Sequence, residues 1–217
     1  MQSRFADKCR HLSVPATRQA LIAVLVCLPI GASPVMAEED HSHHHHHAVA
    51  LDAGYSRGEA RVSVPKVSLK RADGVLVNFA SELDDDRPVL VNFIYTTCTA
   101  ICPPMTQVFA AFQDKLGEER AKVRMISISI DPEQDTPARL TAYARKHKAG
   151  PQWTFYTGTA EASIAVQKGF GAWRGDKMNH TPATWMRAAP GKPWVQLDGF
   201  TTPDELLTEF RRITQNK

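Results

Sequence analysis

Val89-Leu90-Val91-Asn92-Phe93-Ile94-Tyr95 runs through Thr96-Thr97 into Cys98-Thr99-Ala100-Ile101-Cys102-Pro103. The first seven residues are too apolar for a sheet edge and read as a strand buried on both faces. Two cysteines therefore stand four residues apart where a buried strand gives way to a helix. On a helix, residues i and i+4 share one face, with Cβ atoms about 5–6 Å apart, so two sulfurs can converge on one ion. Thiolates select Cu(I), zinc or iron–sulfur clusters over hard cations. The positive end of the helix favours the thiolate, which either binds metal or attacks a disulfide. The spacing is one residue longer than the usual redox CxxC and tilts the reading toward metal. Thiol–disulfide exchange and a buried structural pair are the alternatives.

The flanking sequence supplies the rest of the domain. Met105, Val108, Phe109, Phe112 and Leu116 recur at helical spacing, and Gly117 ends that helix. Val123 to Ile130 is a second apolar strand, closed by Asp131-Pro132. Thr136-Pro137 opens a helix with Leu140, Tyr143 and His147 on one face. Trp153 to Tyr156 is a third strand and Ala160 to Phe170 a third helix. Thr184 to Arg187 and Trp194 to Leu197 read as an antiparallel pair turning at Pro190-Gly191-Lys192. Thr202-Pro203-Asp204-Glu205 is a capping box that starts a last helix with Leu206, Phe210 and Ile213 on one face. Upstream, residues 62–79 predict a hairpin around Asp73-Gly74. Strands alternating with helices imply a central sheet covered on both faces. The order fits an α/β, thioredoxin-like fold: a central mixed sheet flanked by helices, with an added N-terminal β-hairpin.

The N-terminal region has a different character. Arg4, Lys8, Arg10 and Arg18 precede a short apolar stretch, Ala20 to Ala32, and Val35-Met36-Ala37 fits a small-residue cleavage site. Residues 1–37 are expected to be a secretory signal; the alternative is an uncleaved membrane anchor. Cys27 follows Val26, a poor lipoprotein acceptor context. Cleavage after Ala37 would leave Cys98 and Cys102 as the thiols, in an oxidising compartment where an unprotected pair tends to form a disulfide. Residues 38–60 lack an apolar period and hold His41 and the run His43 to His47. They read as a disordered, metal-collecting tail, with an engineered tag as the alternative. Residues 61–217 form the domain. The net charge is only +3, with no basic stripe for nucleic acid.

Two cysteines rarely complete a metal site. Beyond residue 60 the histidines are His147 and His180. His147 stands near a helix end, where a cation suits the dipole. His180 lies in Gly175-Asp176-Lys177-Met178-Asn179-His180-Thr181-Pro182, a polar loop before a strand. In a thioredoxin-like fold that loop faces the cysteine helix, so His180 is the best candidate for a third ligand, and imidazole suits copper. The same analogy expects a cis peptide at Pro182. Met105 and Met178 offer thioethers, although Met105 fits the apolar face of its helix better. Asp131 follows a strand end, where ligands often bind in open α/β sheets. Asp135 and Thr136 read as helix-start residues.

These segments resemble the SCO/SenC family, thioredoxin-like copper-binding proteins that assist assembly of the Cu-A centre of cytochrome c oxidase. The resemblance is carried by Val89 to Tyr95 with Cys98-Thr99-Ala100-Ile101-Cys102-Pro103, by Ser129-Ile130-Asp131-Pro132-Glu133-Gln134-Asp135-Thr136-Pro137, by Tyr156-Thr157-Gly158-Thr159, and by His180. It implies copper, as Cu(I) and also Cu(II), held by Cys98, Cys102 and His180. It implies a metallochaperone exported to the periplasm, serving the Cu-A subunit, another cuproprotein or another copper carrier. Membrane association would follow only if the leader stays. The alternative is a periplasmic thiol–disulfide oxidoreductase using Cys98 and Cys102, acting on the cysteines of a cuproprotein. Asn179 stands where the family usually has Asp, and Thr181-Pro182-Ala183-Thr184-Trp185 looks more like the proline turn of thiol–disulfide oxidoreductases.

Overall fold

The computed structural model describes residues 54–215. The leader, the histidine tract, Cys9 and Cys27 lie outside the described residues. Within them, eight strands form one sheet in the spatial order Ser56–Ala60 (β1), Trp194–Asp198 (β8), Ala183–Arg187 (β7), Val89–Ile94 (β4), Arg124–Ser129 (β5), Trp153–Thr157 (β6), Ser68–Arg71 (β2) and Leu76–Asn78 (β3). The central strand, β4 (Val89–Ile94), lies parallel to β5 (Arg124–Ser129), which lies parallel to β6 (Trp153–Thr157). On its other side β4 meets β7 (Ala183–Arg187) antiparallel, and β7 meets β8 (Trp194–Asp198) antiparallel. The sheet is therefore mixed, and the arrangement is thioredoxin-like.

Every residue of β4 is buried, as its unbroken apolar run requires. Its side chains alternate between two cores. Leu90 and Ile94 join Phe109, Phe112, Met125, Leu140, Phe155, Leu206 and Phe210 on one face. Val89, Val91 and Phe93 join Ile126, Ile128, Tyr156, Val166, Phe170 and Trp185 on the other. The first core packs under α2 (Cys102–Leu116), α3 (Pro137–Lys146) and α5 (Pro203–Gln215); the second lies under α4 (Ala160–Gly169) and the single turn α1 (Phe79–Glu82). Burial of each large side chain contributes roughly 1.5–3 kcal/mol before the entropic cost of ordering. α2 ends at Gly117, whose φ of 53° suits a residue without a Cβ. At the start of α5, Thr202 N–H donates to Glu205 at 2.7 Å and Glu205 N–H donates to the Thr202 hydroxyl at 3.3 Å, the reciprocal pair its sequence predicts.

Three expectations change. The hairpin is shorter than residues 62–79: β2 (Ser68–Arg71) and β3 (Leu76–Asn78) pair antiparallel, and β2 also joins β6. Val62, Val64 and Val67 instead pack against the second core from a segment without strand pairing. Pro65 removes a donor there, and Ser63 N–H bonds the Gly169 carbonyl at 2.9 Å. Second, the tail does not extend to residue 60. Ser56–Ala60 forms β1, an edge strand antiparallel to β8. It lacks an apolar period because its residues are exposed or half-buried, and side chains at its start hold it. Tyr55 and Arg57 reach the Glu209 carboxylate on α5 at 2.9 and 2.8 Å, and Arg212 reaches it at 3.0 Å. Third, no peptide among the described residues is cis, so Pro182 is trans. Its carbonyl accepts Gly199 N–H at 2.9 Å, carrying the β7–β8 pairing one step past Ala183.

Glu209 is buried, and its removal takes a carboxylate partner from Tyr55 and Arg57 at the start of β1. Glu209→Ala is expected to cost about 2 kcal/mol and, in native-state hydrogen exchange, to deprotect the amides of residues 56–60 more than those of β5. Equal loss of protection in both strands would show that β1 is not held by this carboxylate.

Candidate metal centre

Chain chemistry at the start of α2 places the two sulfurs. A helix leaves its first N–H groups without partners. Here Ile101 caps α2 without a side-chain bond, Pro103 and Pro104 have no N–H, and Met105 N–H reaches the Ile101 carbonyl at 3.3 Å. The donor left over is Cys102 N–H, and it points to Cys98 Sγ at 3.3 Å. A sulfur thus takes the role usually filled by a Ser or Asp oxygen. Cys98 N–H in turn bonds the Tyr95 carbonyl at 3.1 Å, and Tyr95 N–H approaches Cys102 Sγ at 3.5 Å. The strand end, the loop and the helix start hold both sulfurs together as free thiols.

The two thiols are not equivalent. Cys98 is half-buried and Cys102 fully buried. Burial disfavours the Cys98 thiolate, but hydrogen bonds from the Cys102 main chain and side chain, the Ala100 main chain and the Tyr95 side chain outweigh it, and the Cys98 pKa falls below the ordinary 9.0. Burial pushes the Cys102 thiol well up, and the adjacent Cys98 adds to the rise. Burial and the hydrogen bond with Cys98 push the Tyr95 phenol up to about 12.

His180 follows a short 3-10 turn (Lys177–Asn179) and immediately precedes the residues leading into β7. It is 8 % exposed. Burial lowers its pKa, which favours the neutral ring that metal binding requires, while it hydrogen-bonds the Phe93 main chain on β4. Its Nε2 is buried and has no hydrogen-bond partner, which leaves a lone pair or a proton unused at real cost. Two soft sulfurs and a partnerless neutral imidazole suit a soft or borderline metal. Among the described residues, no three His, Cys, Asp or Glu side chains are already gathered closely enough to enclose an ion. The cysteines meet each other, and the imidazole lies against the same strand end without joining them.

The other candidates separate cleanly. Met105 is core at 5 % exposure, whereas Met178 is 72 % exposed. His147 packs against the Tyr143 ring at 4.5 Å, and burial with the nearby Lys146 charge lowers its pKa. Asp131 pairs with Lys177 at 2.6 Å, tying the His180 loop to the end of β5, and the Lys177 ammonium lies 5.8 Å from the Tyr95 ring centre. Asp135, read from sequence as a helix-start residue, is fully buried and makes a different contact. Its carboxylate accepts Thr96 N–H at 3.1 and 3.2 Å and the Ser129 hydroxyl at 2.7 Å, bracing the loop that carries Cys98. Thr136 already caps α3 through Arg139 N–H, so Asp135 is surplus to capping, and that surplus was the available signal.

Comparison with known proteins bears out the fold and shows the family. Residues 69–215 match the family model described as SCO1/SenC. The chain belongs to the SCO1/SenC family. It is 42 % identical over 141 residues to the SCO1 protein homolog of Bacillus subtilis, a match covering 59 % of this chain and 72 % of that protein. Among solved SCO1/SenC structures it resembles BsSco, described as having a disulfide switch and as a member of the Sco family of cytochrome c oxidase assembly proteins. That match has 29 % identity and a TM-score of 0.60, over 74 % of this chain and 98 % of that one. The Arabidopsis thaliana ScoI structure, which has copper bound, shares the fold at 23 % identity and a TM-score of 0.60, over 73 % of this chain and all of that one (100 %).

The thiol asymmetry is directly measurable. With the protein folded and reduced, iodoacetamide is expected to label Cys98 at least about tenfold faster than Cys102 at neutral pH, since the thiolate is the nucleophile. The Cys98 rate should rise with pH and reach half its maximum below pH 9.0, because a lowered pKa keeps the thiolate at lower pH. Equal labelling, or faster labelling of Cys102, would contradict the arrangement.

Proposed function

We propose that this protein is an exported copper carrier, with Cu(I) as its cargo and Cys98, Cys102 and His180 as the residues that hold it. One observation supports this most: a thiol of lowered pKa, hydrogen-bonded to its partner cysteine, lies at the same strand end as a buried imidazole nitrogen with no partner. Two thiolates favour the soft Cu(I), and the imidazole extends the set toward Cu(II). The client is the Cu-A subunit of cytochrome c oxidase or another periplasmic cuproprotein, and cargo passes by ligand exchange with the client's thiols. The leader in residues 1–37 directs export. No helix among the described residues is long and apolar enough to cross a membrane. His41 and His43 to His47 gather metal for the domain.

A second reading, thiol–disulfide exchange, is favoured by the split between the thiols. Cys98, partly exposed and of lowered pKa, would attack a partner disulfide, releasing one partner thiolate. Cys102 would then attack Cys98 in the mixed disulfide, releasing the second. The protein is oxidised to its disulfide as the partner is reduced. One site accommodates both chemistries, since reducing a client's cysteines prepares them to accept copper.

Copper stoichiometry separates the readings. In the reduced chain with His41 and His43 to His47 changed to Ser, one tightly held Cu(I) per molecule is expected. His180→Ala should weaken it at least about tenfold, roughly 1.4 kcal/mol, while leaving reduction of a model disulfide within about twofold. Copper retention indifferent to His180, or no retained copper, would remove this ligand set and leave thiol exchange as the function.

A further inference from the structure

Met178 is an exposed side chain with an unusual neighbourhood. At 72 % exposure it is the most exposed large apolar residue recorded among the described residues. It stands two positions before His180, and its backbone is fixed: Met178 N–H donates to the Asp176 carboxylate at 2.8 Å. Its sulfur is not free in solvent. Tyr95 Oη lies 3.8 Å from Met178 Sδ, and the same phenol hydrogen-bonds the Cys98 side chain. Tyr95 is the residue whose N–H meets Cys102 Sγ. One hydroxyl with a single proton therefore has two sulfurs in range, one an exposed thioether and the other a half-buried thiol.

We infer that Met178 is the entry and exit ligand for the cargo. The inference rests on the copper-carrier reading above and adds a residue to it. An uncharged thioether binds Cu(I) as a soft ligand without deprotonation, so it can accept the ion before any thiol ionises. Cu(I) gains a bond to Met178 Sδ as it loses one to the incoming carrier. It then gains Cys98 Sγ as the Cys98 proton passes to water, and Cys102 Sγ and His180 Nε2 as the Cys102 proton passes to water and the last bond to the carrier breaks. The bond to Met178 Sδ breaks as these form, and the Tyr95 hydroxyl turns from Cys98 to the freed thioether. The ion stays Cu(I) throughout, and no electron moves. Release to a client runs the same exchange in reverse. Met178 belongs to the path and not to the resting site, which keeps two thiolates and an imidazole.

The position explains why a flexible, apolar, polarisable residue is exposed at the mouth of a thiol site. Buried in the core, as Met105, Met125 and Met186 are, a methionine only fills space. On the His180 loop, tied by Lys177 to Asp131, its sulfur is held near the thiols yet faces an approaching carrier.

The test uses the full chain labelled at its methionine methyl groups, titrated anaerobically with Cu(I), and compared with Met178→Leu, which keeps the apolar bulk and removes the sulfur. The Met178 methyl resonance is expected to shift at substoichiometric Cu(I), while those of the buried Met125 and Met186 stay put. Met178→Leu should retain Cu(I) with affinity within about threefold of wild type, but pass it to the Cu(I) chelator bathocuproine disulfonate at least about tenfold more slowly, since exchange rates respond to the ligands along the path. Retained copper with a silent Met178 methyl and a wild-type transfer rate in Met178→Leu would overturn this inference and leave the carrier reading standing. Failure of the wild-type chain to hold Cu(I) at all would overturn both.

Discussion

The bond from Cys102 N–H to Cys98 Sγ is the contact on which the site depends. A helix that starts with Ile101 as a non-capping residue and follows it with Cys102-Pro103-Pro104 has one early donor to satisfy, and the chain satisfies it with sulfur. Capping and chemistry are thereby one interaction. The bond fixes the separation of the two cysteines, helps depress the Cys98 pKa against burial, and aims the positive end of α2 at Cys98. The buried β4 supplies the rigid base, and Tyr95 at its end touches both sulfurs.

Around that contact the protein builds two braces. Asp135 receives Thr96 N–H and so sets the loop before Cys98; Lys177 and Asp131 set the loop before His180. The braces share Ser129, whose hydroxyl donates to Asp135 and accepts Asp131 N–H at 3.0 Å. Thiol loop and imidazole loop are thus connected through the end of β5 by hydrogen bonds. Buried networks of this kind are costly when half-satisfied, which favours a single arrangement of the two loops. The imidazole is still not drawn onto the sulfurs, and the exposed face of the site lies with Cys98 and Met178. That division, a fixed inner thiol and an accessible outer one, suits both metal hand-over and disulfide exchange.

Much of this was legible in the sequence. The apolar run of β4, the helical spacing after Cys102 and the capping boxes are strong local signals, and each element they mark is present. The placing of the two thiols at a helix start, and of His180 in a loop before a strand, also follows from residue type and position. What escaped was non-local. The edge strand Ser56–Ala60 has no apolar period, because its anchor is a carboxylate some 150 positions away, at |i−j| of 152 from Arg57. The early part of the expected hairpin was lost to Pro65 and to packing of Val62 and Val64 against a sheet face. Asp135 was hidden by the adjacent Thr136-Pro137 start, which accounts for an acidic residue there without requiring its burial. The pKa ordering of Cys98 and Cys102 depends on exposure and on Tyr95, and spacing alone carries neither.

X-ray absorption at the copper edge of the Cu(I)-loaded chain, with His41 and His43 to His47 changed to Ser, tests the central claim most directly. The account predicts two sulfur ligands and one imidazole nitrogen around a single copper, the set expected for soft thiolates with a neutral ring. A copper bound only by sulfur, or one surrounded mainly by nitrogen and oxygen, would contradict it.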